Sequence, residues 1–179
     1  INARGFNIYP FEYRDFIKGK IDTPFQKSIY LRELILAGRT LKGKKIIENI
    51  KIPSIKVIDV LQDLRFNLGY AFASVHSYRN GDIKTATYEF YKSCLYATRS
   101  LEILKLKKFP LSFNEIYKLS KKLRLGKYRG LVSIAYKVRK RKIKFQENNL
   151  FENISYLNEF IEPQVINFLN KNANKILIT

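Results

Sequence analysis

The chain has 179 residues, of which 46% are hydrophobic and 14% aromatic, so it carries enough apolar material for a folded core and cannot be disordered throughout. Its single cysteine and single histidine exclude an internal disulfide framework and a zinc site of the Cys/His type. The formal net charge of +19 exceeds what solubility requires and indicates an anionic partner.

The N-terminal part is the less regular part of the predicted fold. Residues 1–22 combine short aromatic alternation with Gly and Pro, so we expect extended or irregular structure there. The sequence Asp-Thr-Pro at 22–24 predicts the start of a helix that ends at Gly38. Residues 38–53 contain further Gly and Pro and are expected to form a connector.

Two long amphipathic helices form the strongest pattern in the chain. Between them lies the short polar segment 79–82, in which Asn-Gly suits a positive φ and Asp82 can cap the second helix. Because this connection is so short, the helices must pack antiparallel as an αα-hairpin. Each helix carries seven apolar residues at spacings of three or four, and in the first helix the two spacings alternate without exception. The two stripes are Val57, Leu61, Leu64, Leu68, Ala71, Val75 and Tyr78, then Ile83, Ala86, Phe90, Cys94, Ala97, Leu101 and Leu104.

Three further helices are predicted in the C-terminal part. A capping box at residues 112–115 opens the first, which is expected to end near residue 123. The second spans about 128–144, and the third begins near residue 149 and is expected to bend at Pro163.

These patterns predict the all-α fold class. We expect an antiparallel helical bundle built on the long αα-hairpin, with a short irregular or extended N-terminal segment. Residues 1–53 would hold that segment, a helix and the connector, and residues 54–179 would form the bundle. No stretch approaches the about 18 apolar residues of a membrane span, and the N-terminus lacks the apolar core of a signal peptide. We therefore expect no membrane partner and a cytoplasmic location.

Residues that support enzyme chemistry are sparse. The five aspartates include no Asp-x-Asp or Asp-x-Glu pair of the kind that holds two metal ions for nucleotidyl transfer. Asp59 and Asp63 share a helical face, which we interpret as solvated surface, and Cys94 is interpreted as a core residue. Residues 38–45 approach a phosphate-binding loop, but Lys45 replaces the hydroxyl that would bind magnesium and a helix precedes the loop instead of a strand. We therefore predict neither a metal nor a cofactor.

Positive charge is concentrated in residues 105–144, which hold fifteen Lys and Arg and one acid, Glu115. We expect these cations to gather into one exposed area. Part of the run complements a helix dipole, but two helices and their loop share the charge, and tyrosines lie among it, as in surfaces that bind a phosphate backbone. RNA is favoured over DNA because no DNA-binding motif is visible and aromatic residues beside cations suit stacking on unpaired bases. The predicted nucleic-acid-binding residues are Lys121, Lys122, Arg124, Lys127, Arg129, Lys137, Arg139, Lys140, Arg141, Lys142 and Lys144.

Residues 85–104 have the sequence TATYEFYKSCLYATRSLEIL, with Ala, aromatic, Lys-small and Arg-x-Leu positions. This run resembles the second core helix of the HEPN family, and the resemblance covers about residues 54–145. Residues 36–43, LAGRTLKG, look like the stretch that joins a minimal nucleotidyltransferase domain to its C-terminal HEPN-like domain. The resemblance implies that residues 1–53 include the tail of such an upstream domain. The absence of methionine agrees with a sequence that starts inside a longer protein.

Ribonuclease members of the HEPN family carry Arg, four to six residues and then His on a core helix. Here ten residues separate Arg65 from His76, which sets them three helical turns, about 16 Å, apart. The motif is therefore absent, and no catalytic residue is predicted within one chain. Arg65, His76 and Arg79 are the candidates for a site that two chains would assemble.

Three hypotheses about function follow. The favoured one is a non-catalytic basic helical domain that binds RNA or nucleotide phosphates as the accessory part of a nucleotidyltransferase system. The second is a divergent HEPN-type ribonuclease whose site forms across a homodimer. The third is a protein-interaction bundle whose basic face meets an acidic partner.

Overall fold

The computed structural model describes residues 11–172 and 175–179. In this part of the chain, eight α-helices pack against one another, which confirms the predicted all-α bundle. The helices are α1 (Tyr13–Phe16), α2 (Lys27–Ala37), α3 (Val57–Arg79), α4 (Ile83–Leu101), α5 (Phe113–Ser120), α6 (Arg129–Arg139), α7 (Glu147–Ser155) and α8 (Glu162–Lys171). Short 3₁₀ turns occupy Ile47–Asn49 and Gly126–Tyr128, and π-helical turns occupy Glu102–Leu106 and Tyr156–Ile161.

Helices α3 and α4 form the predicted antiparallel hairpin at the centre of the bundle. Every member of the first apolar stripe is buried or half-buried. Six members of the second stripe are buried, but Ile83 is 49% exposed. It is the first residue of α4 and lies beside the turn, where few side chains can cover it. The stripes thus predicted the interface correctly except at this helix end.

The remaining helices enclose the hairpin. Helix α6 packs against α4, α5 contacts both α4 and α6, and both α7 and α8 pack against α3. Tyr156 and Phe90 are the largest of the fully buried side chains, and the Tyr156 hydroxyl lies 3.1 Å from Thr98 Oγ1. One continuous apolar core therefore joins the hairpin to the C-terminal helices.

The N-terminal part differs in detail from its predicted form. Residues 1–10 lie outside the described residues, and α1 forms a single turn where irregular chain was expected, because the Glu12 side chain accepts the Asp15 N–H. Helix α2 begins later than predicted, since Gln26 rather than Asp22 caps it by accepting the Ile29 N–H at 2.8 Å. Its predicted end before Gly38 is confirmed.

A two-stranded antiparallel sheet was not predicted. Strand β1 (Ile55–Lys56) pairs with β2 (Ile176–Ile178), with Ile55 opposite Ile178. Arg32 of α2 links the same two segments, because it donates to the Pro53 carbonyl at 2.8 Å and to the Thr179 carbonyl at 3.0 Å. The C-terminal end of the chain is thereby tied to the segment that precedes the hairpin.

Helices α5 and α6 are shorter than predicted. Half of the capping box expected at the start of α5 is formed. Ser112 Oγ accepts the Glu115 N–H. The Glu115 carboxylate accepts the N–H of Leu111 instead of that of Ser112. Helix α6 ends at Arg139 because Arg141 takes a left-handed conformation with φ of 55°. The expected bend at Pro163 takes another form: a π-helical turn precedes α8, which begins with Pro163 in its first turn, where a missing N–H is tolerated.

Candidate nucleic-acid interface

Helices α5 and α6 lie side by side and run in opposite directions. The Tyr117 and Tyr136 rings stack with their centroids 4.2 Å apart and an interplanar angle of 5°. The Tyr136 hydroxyl donates to Asn114 Oδ1 at 3.0 Å, and the Arg139 guanidinium carbon lies 5.6 Å from the Phe113 ring centroid. The beginning of α5 therefore meets the end of α6, and their joining loop lies at the opposite end of the pair.

All eleven residues predicted to bind nucleic acid are exposed. Within residues 11–172 and 175–179, none of the eleven forms an ion pair; the four ion pairs found there use Lys45, Arg65 and Arg99 as cations. The charge of the predicted residues is thus not neutralised by neighbouring carboxylates, and it is available to an anionic ligand.

The structure divides these residues into two groups rather than one area. Ten helical steps of 1.5 Å put about 15 Å between Arg129 and Arg139 along the axis of α6. We name the first group the loop cluster: Lys121, Lys122, Arg124, Lys127 and Arg129. We name the second the end cluster: Lys137, Arg139, Lys140, Arg141, Lys142 and Lys144. The two clusters lie at opposite ends of α6.

The loop cluster is held by contacts within its own segment. Gly126 has a φ of 53°, which favours glycine, and it opens the 3₁₀ turn before α6. Arg129 donates through Nη2 to the Leu123 carbonyl at 3.3 Å. Lys121 and Lys127 lie over tyrosine rings, with their Nζ atoms 5.2 and 5.1 Å from the ring centroids. These contacts limit the freedom of the cations without neutralising them.

The end cluster is organised by the way in which α6 terminates. The Lys142 N–H donates to the Lys137 carbonyl and the Arg141 N–H donates to the Val138 carbonyl, both at 2.9 Å. This pair of hydrogen bonds, with Arg141 left-handed, is a Schellman motif. Cations at this end also interact favourably with the negative end of the helix dipole. The motif turns the chain sharply, so several cations crowd around one helix terminus.

Helix α4 contributes residues to this region that the sequence analysis did not select. A groove of about 600 Å³ between α4 and the end cluster is lined by Lys84, Arg141, Lys142 and Lys144, with apolar residues such as Phe145 between them. Beside it, Tyr88 and Tyr91 line a second groove with Arg139 and Arg141. Lys84, Tyr88 and Tyr91 recur at helical spacing next to the apolar stripe of α4. That periodicity was the signal that could have identified them.

The three candidate catalytic residues do not form a site within the chain. Arg65 Nε binds Glu162 Oε1 of α8 at 2.8 Å. His76 is exposed at the end of α3, and its Nε2 atom lies 3.0 Å from Asn80 Nδ2. Arg79, also exposed, is the last residue of the same helix.

A buried polar cluster was also missed. Arg99 is 3% exposed and donates to Glu33 Oε2 at 2.7 Å and to Asp63 Oδ2 at 3.4 Å, so it links α4 to α2 and α3. Although burial opposes the charge on Arg99, the two carboxylates raise its pKa above the usual value. Asp63, interpreted as solvated surface, is instead 5% exposed, and that interpretation is wrong. The uniform burial of α4 from Ala97 onward places this arginine inside the bundle.

The described residues contain no group of three or more His, Cys, Asp and Glu side chains that could hold a metal ion. Cys94 is buried, as predicted, and burial raises the pKa of its thiol. No helix in the described part of the chain is long and apolar enough to cross a membrane. No protein-family model, curated protein or solved structure matches the chain.

Proposed function

We propose that this protein binds nucleic-acid phosphates, with RNA favoured over DNA, and that it does so as a non-catalytic, HEPN-like accessory domain of a nucleotidyltransferase system. The observation that carries the proposal is the exposure of eleven Lys and Arg side chains on and around α5 and α6, none of them in an ion pair within the described residues. Such side chains neutralise phosphates and release counterions, which gives binding a steep dependence on salt.

The aromatic residues support RNA as the ligand. Tyr88 is 47% exposed and lies in the groove that Arg139 and Arg141 line. An exposed ring beside cations offers a face for a base while the cations hold the backbone, which is the usual mode for unpaired RNA. A rigid duplex presents its phosphates but not the faces of its bases.

The test is a titration of an RNA hairpin with an unpaired loop, followed by fluorescence anisotropy at about 50 and about 200 mM salt. The triple variant Arg139→Gln, Arg141→Gln, Lys142→Gln is expected to bind about tenfold more weakly, with a salt slope lower by about 2 to 3.

A matched control removes three positive charges elsewhere. Lys18, Lys20 and Lys27 are exposed and lie in the N-terminal part of the chain, so changing all three to Gln is expected to alter affinity much less. Equal losses in the two triple variants would contradict the proposal, because binding would then follow net charge rather than the end cluster.

A further inference from the structure

A cleft of about 280 Å³ lies where α4, the beginning of α5 and the end of α6 meet. Its lining includes Glu33 of α2, Arg99 of α4, Ser112, Phe113 and Asn114 at the start of α5, and Arg139 and Lys140 at the end of α6. It shares no lining residue with the groove of about 600 Å³, whereas Arg139 lines both this cleft and the second groove beside Tyr88 and Tyr91. Four separate helices thus bring polar groups to one concave site.

The beginning of α5 supplies two free backbone donors. Ser112 Oγ accepts the N–H of Glu115, and the N–H of Leu111 donates to the Glu115 carboxylate at 2.8 Å. Within the described residues, the N–H groups of Phe113 and Asn114 donate to no acceptor. Adjacent free N–H groups at the positive end of a helix dipole favour an anion.

The end of α6 supplies two exposed cations that lie beside aromatic rings. The Arg139 guanidinium carbon lies 5.5 Å from the Tyr91 centroid and 5.6 Å from that of Phe113. Lys140 Nζ lies 5.8 Å from the Tyr136 centroid. Neither cation forms an ion pair in the described part of the chain, so the charge of both is available within the cleft.

The inner wall of the cleft holds Arg99, whose positive charge is balanced by the Glu33 and Asp63 carboxylates that bind it. Arg99 is almost fully buried, and while its two Nη atoms bind Glu33 and Asp63, its Nε–H finds no acceptor among the described residues. Glu33 also lines the cleft, but Arg99 binds its carboxylate at 2.7 Å. In the part of the chain that the structure describes, the cations of the lining that remain free for an anion are therefore Arg139 and Lys140.

We propose that this cleft binds a terminal phosphate monoester, as at the 5′ end of an RNA strand or on a free nucleotide; the inference rests on the proposed function and names the group that this part of the surface recognises. A monoester carries up to two negative charges, whereas each phosphodiester within a strand carries one, so two cations and two amides favour the terminal group. The volume suits a phosphate with part of its sugar and is too small for a duplex.

The experiment measures binding of a short RNA with a 5′-phosphate and of the same RNA with a 5′-hydroxyl. A third RNA has a 5′-hydroxyl and is lengthened until its negative charge is equal or greater, so that recognition of the end is separated from total charge. We expect the 5′-phosphate strand to bind about tenfold more tightly than either hydroxyl strand. Equal binding of the phosphorylated and lengthened strands would overturn the proposal that the cleft binds a terminal phosphate, and it would leave the proposed RNA-binding function standing.

Two double variants test whether the cleft is the source of the preference for the 5′-phosphate. Arg139→Gln with Lys140→Gln is expected to abolish the preference for the 5′-phosphate. Lys137→Gln with Lys142→Gln removes the same charge from residues that do not line the cleft. It is expected to weaken all strands while the preference persists. If the Arg139→Gln, Lys140→Gln variant still prefers the 5′-phosphate strand, the cleft is not the site that recognises the terminal phosphate.

A nucleoside monophosphate and its nucleoside distinguish the two sources of the phosphate. If the monophosphate binds more tightly than the nucleoside, and the Arg139→Gln, Lys140→Gln variant loses this difference, the cleft binds a terminal phosphate. This result supports the proposal for the cleft even if no RNA strand binds. In that case only the proposed RNA-binding function is overturned. If neither the monophosphate nor any strand binds, both proposals are overturned.

Discussion

Glu102 is a fully buried carboxyl group with no hydrogen-bond partner among the described residues. It follows α4 directly and opens the π-helical turn Glu102–Leu106. Burial raises the pKa of Glu102 to about 9, although the nearby Arg99 charge opposes the shift. The folded protein therefore holds this side chain protonated at neutral pH, whereas the unfolded chain releases the proton.

This difference makes the stability of the fold depend on pH. Because the pKa is raised on folding, the contribution of Glu102 is fully present below the pKa of the unfolded chain and is lost as pH rises toward 9. We expect the free energy of unfolding to fall by up to about 1.4 kcal/mol per pH unit in this range from this group alone. Glu102→Gln, measured by urea unfolding at several pH values, is expected to flatten the profile and to be the more stable protein near pH 8.

A matched control is Glu147→Gln, which changes an exposed glutamate at the start of α7. It is expected to leave the slope between neutral and alkaline pH unchanged. If the Glu102 variant keeps the slope of the unmodified protein, the carboxyl group is not protonated in the fold.

At the level of single residues, the sequence was informative about apolar positions and poor on buried polar ones. Cys94 falls in a stripe of apolar residues, so its burial followed from periodicity. Asp63 became buried because Arg99, 36 positions later, binds it across two helices. The spacing of residues along one helix carries no information about a partner on another, so the buried cluster could not be predicted.

The turn between α3 and α4 depends on one backbone conformation. Gly81 has a φ of 79°, and the Asp82 side chain accepts the Thr85 N–H at 3.0 Å to cap α4. A side chain at residue 81 would be strained at this φ even though the space around it is open. We expect Gly81→Ala to lower the free energy of unfolding by about 1 kcal/mol, measured by urea denaturation.

The same substitution within a helix should act in the opposite direction. Gly69 lies in the middle of α3, with no atom within 4 Å of the position that a Cβ would occupy. Gly69→Ala is expected to stabilise the protein by about 0.5 to 1 kcal/mol, because alanine favours the helix. Loss of stability in both variants, or in neither, would contradict this account of the turn.

Elements with a strong local pattern were predicted well, and elements that depend on distant contacts were not. The long hairpin was predicted because fourteen apolar positions and an Asn-Gly turn agree. The short sheet was missed because Ile55 pairs with Ile178, far away in the chain. The early end of α6 was missed because Arg141, which is not a glycine, adopts the left-handed conformation.

The whole molecule carries a net charge of +19, and the described residues contain only four ion pairs to offset it. Mutual repulsion of like charges destabilises a compact state, and salt screens that repulsion. We therefore expect the melting temperature to rise as sodium chloride increases from about 20 to about 200 mM, measured by circular dichroism at constant pH.

Salt should thus act in opposite directions on folding and on RNA binding. The Arg139→Gln, Arg141→Gln, Lys142→Gln variant is expected to show a smaller rise in melting temperature, because it removes charges that crowd one helix end. A melting temperature that falls with salt would show that favourable ion pairs, rather than repulsion, dominate the electrostatics of the fold.

For the candidate site, the sequence supplied the identity of the cations but not their grouping. Fifteen basic residues in one segment made an exposed cationic surface predictable. Their division into two clusters depends on the antiparallel packing of α5 and α6 and on the turn after α6. The contribution of Lys84 from α4 depends on the packing of α6 against α4.

The length of α6 sets the shortest nucleic-acid strand that can contact both clusters. The loop cluster and the end cluster are about 15 Å apart along this helix, which corresponds to four or five steps of a stacked strand at about 3.4 Å each. A dinucleotide can occupy one cluster but cannot bridge them, whereas a longer oligomer can engage both at once. A strand shorter than the distance between the clusters is therefore expected to bind only one of them. A longer strand is expected to bind both at once, and the second contact then adds to its affinity.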